Sequence, residues 1–308
     1  MIWRLKLNTF NKFLDGKSWT DYYGFLKKLK KSKSILFSNP ELLVGILLTL
    51  FIILGAIFAP IIAKVDPLEM DYTHILNPPL VSGHLLGTDQ FGRDMISRLL
   101  YGARISLLIA WSSVFGAAIL GSIIGPIAGY YGGFLDNVMM RIIESIMTFP
   151  LIIIALLLAT VFIPGAKTLI LVFIIVGSPV FAKITRGVVL SLKEQEFVLA
   201  AKALGGTDMC IIFKHILPNI IHQILVLVTL QVSRVMFVEA GLSFIGVGVQ
   251  PPYPSWGNML ADGRGYMMVA WWLPILPGLA LLITVLGANL LCDGLQEILD
   301  PKRRKIVG

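Results

Sequence analysis

Charge is scarce in this sequence. Only 14% of its 308 residues are Asp, Glu, Lys or Arg, against about 25% in soluble domains, and the mean hydropathy is +0.82. That shortage excludes an ordinary soluble domain and places the chain in a bilayer. Cysteine is nearly absent: Cys210 and Cys292 lie too far apart for a CxxC pair and are too few for a disulfide framework. The four histidines, His74, His84, His215 and His222, contain no H-x-x-x-H pair, which argues against a membrane metalloenzyme. His74 and His84 share one loop, so a weak metal contact there is the alternative. A Walker lysine motif is missing as well. Gly87 and Gly92-Arg93-Asp94 only superficially resemble a phosphate loop, because Arg-Asp replaces Lys-Ser/Thr and no strand precedes it. There is also no two-fold repeat of interrupted helices, which a secondary transporter or channel working alone would be expected to carry.

What is present is a series of long apolar runs. Leu42 to Ala63 is long enough to cross a ~30 Å hydrocarbon core. Further spans are expected at about Ile105–Ala128, Met139–Ile163, Leu169–Ala182 (short, broken at Pro179), Ile220–Val247 and Trp271–Leu291. Residues 1–41 form a basic, aromatic tail that can lie on an anionic membrane surface or simply fix orientation. It is too long for the n-region of a signal peptide, and the apolar run after it exceeds the ~7–15 residues of an h-region. Residues 42–103 then make one span plus an external loop, 104–293 a five-span domain, and 294–308 a basic tail. Between His84 and Leu107 the pattern reads as an interfacial amphipathic segment, with Met95, Leu99 and Leu100 toward lipid and Arg93, Asp94 and Arg98 wet. Trp256 and Tyr253 are expected at headgroup level.

Small residues recur every four positions through the second span, with Gly121, Gly125 and Gly129 at the centre. Such a stripe lets helices approach closely where lipid offers no hydrophobic drive. Arg141 and Glu144 are spaced to pair on one helix face. The fifth span carries Gln231, Arg234, Glu239 and Ser243 within apolar sequence. A mid-membrane charge costs about 2.5–3.5 kcal/mol, so these residues face a bundle interior or a wet route. They read either as a structural Arg–Glu pair or as the wall of a translocation pathway.

The most organised polar stretch is EFVLAAKALGGTDMCIIFKHILPN, Glu196 to Asn219. Leu192, Glu196, Leu199 and Ala203 have helical spacing, and Gly205-Gly206 can end that helix in a left-handed turn. Thr207 or Asp208 can cap a second short helix, amphipathic through Met209, Ile212, Phe213 and Ile216 and closed by Pro218. With the N-terminus inside and six spans, inside segments hold nineteen Lys/Arg, outside segments six, and Arg234 lies within a span. The bias puts both termini and this helix–elbow–helix in the cytoplasm. The basic residues are thereby accounted for without nucleic acid.

The spacing Leu199-Ala200-Ala201, Gly205, Leu217-Pro218 resembles the EAA loop of ABC-importer membrane subunits. Leu199 stands where that family often has Glu, and His215 where the pattern has Ile. Three more blocks agree in order: G-T-D-x-x-G-R-D-x-x-S-R-L from Gly87, E-A-x-L-S-F-x-G-x-G-x-x-P-P-x-P-S-W-G from Glu239, and W-W-x-P-x-x-P-G…D-G-L…D-P from Trp271. Together they look like the C-type membrane subunit of dipeptide, oligopeptide and nickel ABC importers. The resemblance implies an all-α membrane protein with the type I ABC-importer permease fold (MetI-like) in a prokaryotic cell membrane. It also implies no cofactor on this chain, with ATP and Mg consumed by partner ATPases. The implied partners are a homologous B-type permease subunit, two cytoplasmic ATPases and an external substrate-binding protein. On this reading Glu196, Ala200, Ala201, Gly205, Asp208, His215, Leu217 and Pro218 form the loop that couples to the ATPase. The cargo is a peptide, or alternatively a nickel or metal chelate or an oligosaccharide.

Overall fold

In hydrocarbon every backbone N–H and C=O must find a partner within its own segment, so the apolar runs of this chain coil into helices. The computed structural model describes residues 39–299 apart from Ser82. The basic N-terminal tail and the cluster Lys302 to Lys305 lie outside the described residues. The helices are α1 (Pro40–Ile57), α2 (Ala59–Ile62), α3 (Met95–Tyr131), α4 (Gly133–Thr148), α5 (Leu151–Val161) and α6 (Ala166–Leu192). After them come α7 (Glu196–Ala203), α8 (Asp208–Cys210), a π-helical turn (Ile211–Ile216), α9 (Leu217–Phe244), α10 (Trp256–Arg264) and α11 (Trp272–Leu299). Among the described residues five helices are long and apolar enough to cross a membrane. The helix pair Gly133–Thr148 and Leu151–Leu158, bent by 91° at its break, passes the same test together and makes a sixth span if the two arms count as one.

The densest packing is between α3 and α6, and the small-residue stripe makes it possible. A Cβ on Gly121 would lie 2.5 Å from the Ser178 carbonyl oxygen and from the Phe181 Cβ. One on Gly125 would collide with the Thr185 hydroxyl and the Ala182 carbonyl. Thr185 Oγ1 uses the closeness to donate to Gly121 O at 3.3 Å. Outside this pair, α1 lies along α11, and Asn39 Nδ2 donates to Glu297 Oε2 at 2.6 Å to tie their ends.

Several expectations change. The second span starts at Met95, ten residues earlier than expected; the fourth passes Pro179 and reaches Leu192. Neighbouring helices and side chains can absorb a missing donor inside a packed bundle, so proline does not end a helix there. Phe149 and Pro150, both non-helical, split the third span. Arg141 and Glu144 are exposed and form no ion pair among the described residues; Asp136 pairs instead with Arg186, at 2.5 Å and 2.6 Å. Pro218 does not close the second loop helix. The π turn, in which Leu217 N donates to Ile212 O, leads straight into α9. Its wider ring spares the proline from crowding the preceding turn, and Asn219 Nδ2 bonds the His215 carbonyl at 2.6 Å.

The segment before α3 is not an interfacial amphipath. Arg93, Asp94, Met95 and Arg98 are all buried. Asp89 Oδ2 accepts from Arg93 Nε at 2.6 Å and lies 3.3 Å from Arg98 Nε. Asp262 on α10 approaches the same guanidinium groups at 4.0 Å and 3.9 Å. Trp256 is buried within the protein, its Nε1 donating to Leu99 O at 3.1 Å.

Candidate functional site

The helix–elbow–helix is built by local turn chemistry. Gly206 N donates to Ala201 O and Gly205 N to Lys202 O, both at 3.0 Å. This is the paired closure of a helix whose next residue is left-handed, and Gly205 has φ +82°. The Thr207 side chain then accepts from Cys210 N at 3.4 Å, capping α8. The spacing predicts one helix through Leu192 to Ala203; in fact α6 ends at Leu192 and α7 begins at Glu196, with a short break between.

Val198, Ile211, Ile212 and Ile216 point inward and are buried. Leu199, Met209 and Phe213 are about half exposed, and Leu204 at the elbow is 89% exposed. Glu196, Ala200, Gly205 and Pro218 are also exposed, while Ala201, Asp208, His215 and Leu217 are half-buried. Two contacts fix the loop to the bundle: Tyr130 Oη donates to Asp208 Oδ1 at 2.8 Å, and Lys193 Nζ to Gly129 O at 3.2 Å. The elbow is therefore a rigid apolar projection, and the π turn makes its second arm one body with α9.

The four polar residues of the fifth span divide into two groups. Glu239 is 0% exposed. Its Oε1 accepts from Ser243 Oγ at 2.8 Å and its Oε2 from Ser106 Oγ at 3.3 Å. Those hydroxyls accept in turn from Val249 N (3.2 Å) and Trp256 N (3.4 Å). The node joins α3, α9, α10 and the loop between α9 and α10. Arg234 takes no part in it. Glu239→Gln, which retains one acceptor oxygen, is expected to lower thermal stability of the solubilised protein by about 1 kcal/mol, the scale of one net hydrogen bond. Transport per assembled molecule should stay unchanged, as read by uptake normalised to folded protein.

Gln231 and Arg234 lie elsewhere, lining a cavity of about 100 Å³ with Phe149, Leu151 and their neighbours at the α4–α5 bend. Arg234 belongs to an open stripe of α9 formed with Leu230, Phe237, Gly241 and Phe244.

The sequence reading missed two acids, the buried Asp89 and the partly exposed Asp262. The i, i+4 spacing of Asp89 and Arg93 was the available signal. In the same loop, hydrogen bonds from Thr73 and His74 hold the Asp71 carboxyl down at about 2. Burial pushes Asp262 up against the pull of Arg98 and Arg93. His74 and His84 pair separately, with Asp71 at 2.7 Å and Asp94 at 2.9 Å. Among the described residues no group of three or more His, Cys, Asp or Glu is placed to hold a metal.

Comparison with known proteins adds the context. Residues 119–305 match the family model described as binding-protein-dependent transport system inner membrane component. Residues 27–79 match the N-terminal TM domain of oligopeptide transport permease C. The chain is 38% identical over 92% of its length to the dipeptide transport system permease protein DppC of Alkalihalophilus pseudofirmus, covering 93% of that protein. It is 39% identical to the di/tripeptide transport system permease protein DppC of Pseudomonas aeruginosa, over 86% of this chain and 89% of that one. The oligopeptide transport system permease protein OppC of Bacillus subtilis is 40% identical over 87% of this chain and 88% of its own. Among solved structures, an inward-facing MetNI methionine ABC transporter chain superposes with a TM-score of 0.50 at 18% identity, covering 65% of this chain and 97% of that chain. At that identity the likeness concerns the fold.

Proposed function

This chain belongs to the family of binding-protein-dependent transport inner-membrane components, the membrane permease subunits of ABC importers, and on that premise we propose that it carries di- or oligopeptides into a prokaryotic cell. The relatives' names, given to proteins matched over most of their length, support the peptide class. The chain supplies half of the route, and a homologous B-type subunit supplies the other half. Two cytoplasmic ATPases hydrolyse ATP with Mg, and an external binding protein delivers the cargo. Both termini and the elbow face the cytoplasm.

One observation carries the mechanism: the exposed elbow is continuous, through the π turn, with a membrane-spanning helix. An ATPase cleft that grips Leu204 and its neighbours moves α7 and the second arm together, because the closed turn at Gly205 fixes their angle. That motion tilts α9, whose open stripe lines the route, a rigid-body change. Glu239 and Ser243 would serve by holding α9 to α3 and α10, while Gln231 and Arg234 face the route.

The test is uptake by cells with and without the intact gene, using labelled di- and tripeptides, nickel and an oligosaccharide as separate cargoes. Loss of peptide uptake alone, with the ATPase co-purifying, is the expected result. Loss restricted to nickel or sugar, or uptake by the purified chain with no ATPase attached, overturns the reading.

A further inference from the structure

Arg234 is the only charge within the apolar length of α9 apart from Glu239, and it is unlike Glu239 in every respect. At 1.5 Å per residue it lies about 15 Å inside the helix end at Phe244. It is exposed, and it has no hydrogen bond or ion pair with any described residue. The two residues are also separated around the helix by about 140°, five steps of about 100° each, so they cannot meet. A cation at this depth is retained only where it meets a wet cavity or an anion.

The surroundings specify which. Gln231, one turn earlier, lines the same cavity, is only 6% exposed and has no hydrogen-bond partner among the described residues. Its amide can donate. Leu151, the first residue of α5, also lines the cavity, and that helix begins with no side-chain cap. Ile153 N and Ile154 N donate to Pro150 O, which leaves the N–H groups of Leu151 and Ile152 without an acceptor among the described residues. With the helix dipole they favour negative charge. No Asp or Glu lines the cavity. A guanidinium, an unused amide and a helix N-terminus thus converge on an apolar chamber without a counter-charge. About 100 Å³ of space, a few times the ~30 Å³ share of one water, fits a carboxylate and not a whole peptide.

Resting on the peptide reading above, we propose that this chamber binds the C-terminal carboxylate of the peptide in transit, with Arg234 and Gln231 as the recognising groups. The peptide enters the route with one end held here while the rest of it follows the open stripe of α9. Recognition of the terminal carboxylate by charge accommodates peptides of different side chains.

The experiment uses the complete importer in lipid nanodiscs, loaded by its binding protein and trapped with vanadate. Two tripeptides differ only in carrying a diazirine residue at the last or the first position. The last-position probe is expected to label residues 146–151 and 230–237 at least about tenfold more than the first-position probe, the scale of one charge-assisted contact. Arg234→Gln should remove that bias and Arg234→Lys should keep part of it. Equal labelling by both probes, or a bias untouched by Arg234→Gln, overturns the proposal. Separation of the two membrane subunits in Arg234→Gln also overturns it, because the anion is then a carboxylate of the neighbouring subunit. If neither probe labels or enters with the wild-type complex, the peptide reading itself fails.

Discussion

Gly205→Pro is expected to give a permease that reaches the membrane in normal amount and moves no cargo. Proline fixes φ near −65°, whereas the elbow needs +82°, so the turn cannot form in its present shape. The substitution also removes the N–H that closes on Lys202 O. Nothing lies within 4 Å of where a Cβ at Gly205 would stand, so the damage is confined to the backbone angle between the two arms. The buried face made by Val198, Ile211 and Ile216 remains to hold the protein together. Gly205→Ala separates angle from bulk. It has the same free space but pays the left-handed penalty of about 1–2 kcal/mol, and should retain reduced uptake. Peptide uptake and transport-coupled ATPase activity in proteoliposomes, set against membrane-fraction yield, decide the matter. Normal uptake by Gly205→Pro would remove the elbow from the coupling path.

How much of this could be read in advance depends on how local the cause is. The elbow was legible because Gly205, Gly206 and Thr207 act within a single turn, and the Gly121–Gly125–Gly129 stripe because close approach demands small residues at a fixed period. Pro179 and Pro218 misled because a rule learned from isolated helices met a packed bundle and a π turn, where the lost donor is absorbed. Pro150 was the proline that mattered, and nothing in its immediate sequence sets it apart. Arg93 and Arg98 looked wet because amphipathic spacing records only their own helix. Their near partner Asp89 was signalled only by its i, i+4 spacing to Arg93, and their second partner Asp262 belongs to α10, far along the chain, where no pattern within one segment points to it. A structural Glu239–Arg234 pair, one of the two readings of the fifth span, is excluded by helical geometry, which places the two residues on well-separated faces.

The buried ion cluster supports the second large effect. Asp89→Ala should destabilise the solubilised protein by about 3–5 kcal/mol, the range for removing one partner from a buried pair. Asp89 and both arginines it holds are almost fully enclosed, each side chain 3–4% exposed. Besides the two guanidinium groups, Asp89 Oδ1 accepts from Phe91 N and Arg93 N, each at 2.9 Å. Without it the loop before α3 loses its turn, and two cations remain against Asp262, whose contacts are 3.9–4.0 Å and whose side chain is 38% exposed. Asp262→Asn, removing the distant and wetter partner, should therefore have a much smaller effect, about 1 kcal/mol or less. The cluster joins this loop to α3 and α10, and α10 leads through Trp256 to the Glu239 node. Early protease cleavage within residues 64–94, accompanied by a lower melting temperature, is the expected signature of Asp89→Ala. Equal losses for Asp89→Ala and Asp262→Asn would mean that the two acids share the load and that Asp89 is not the centre of the cluster.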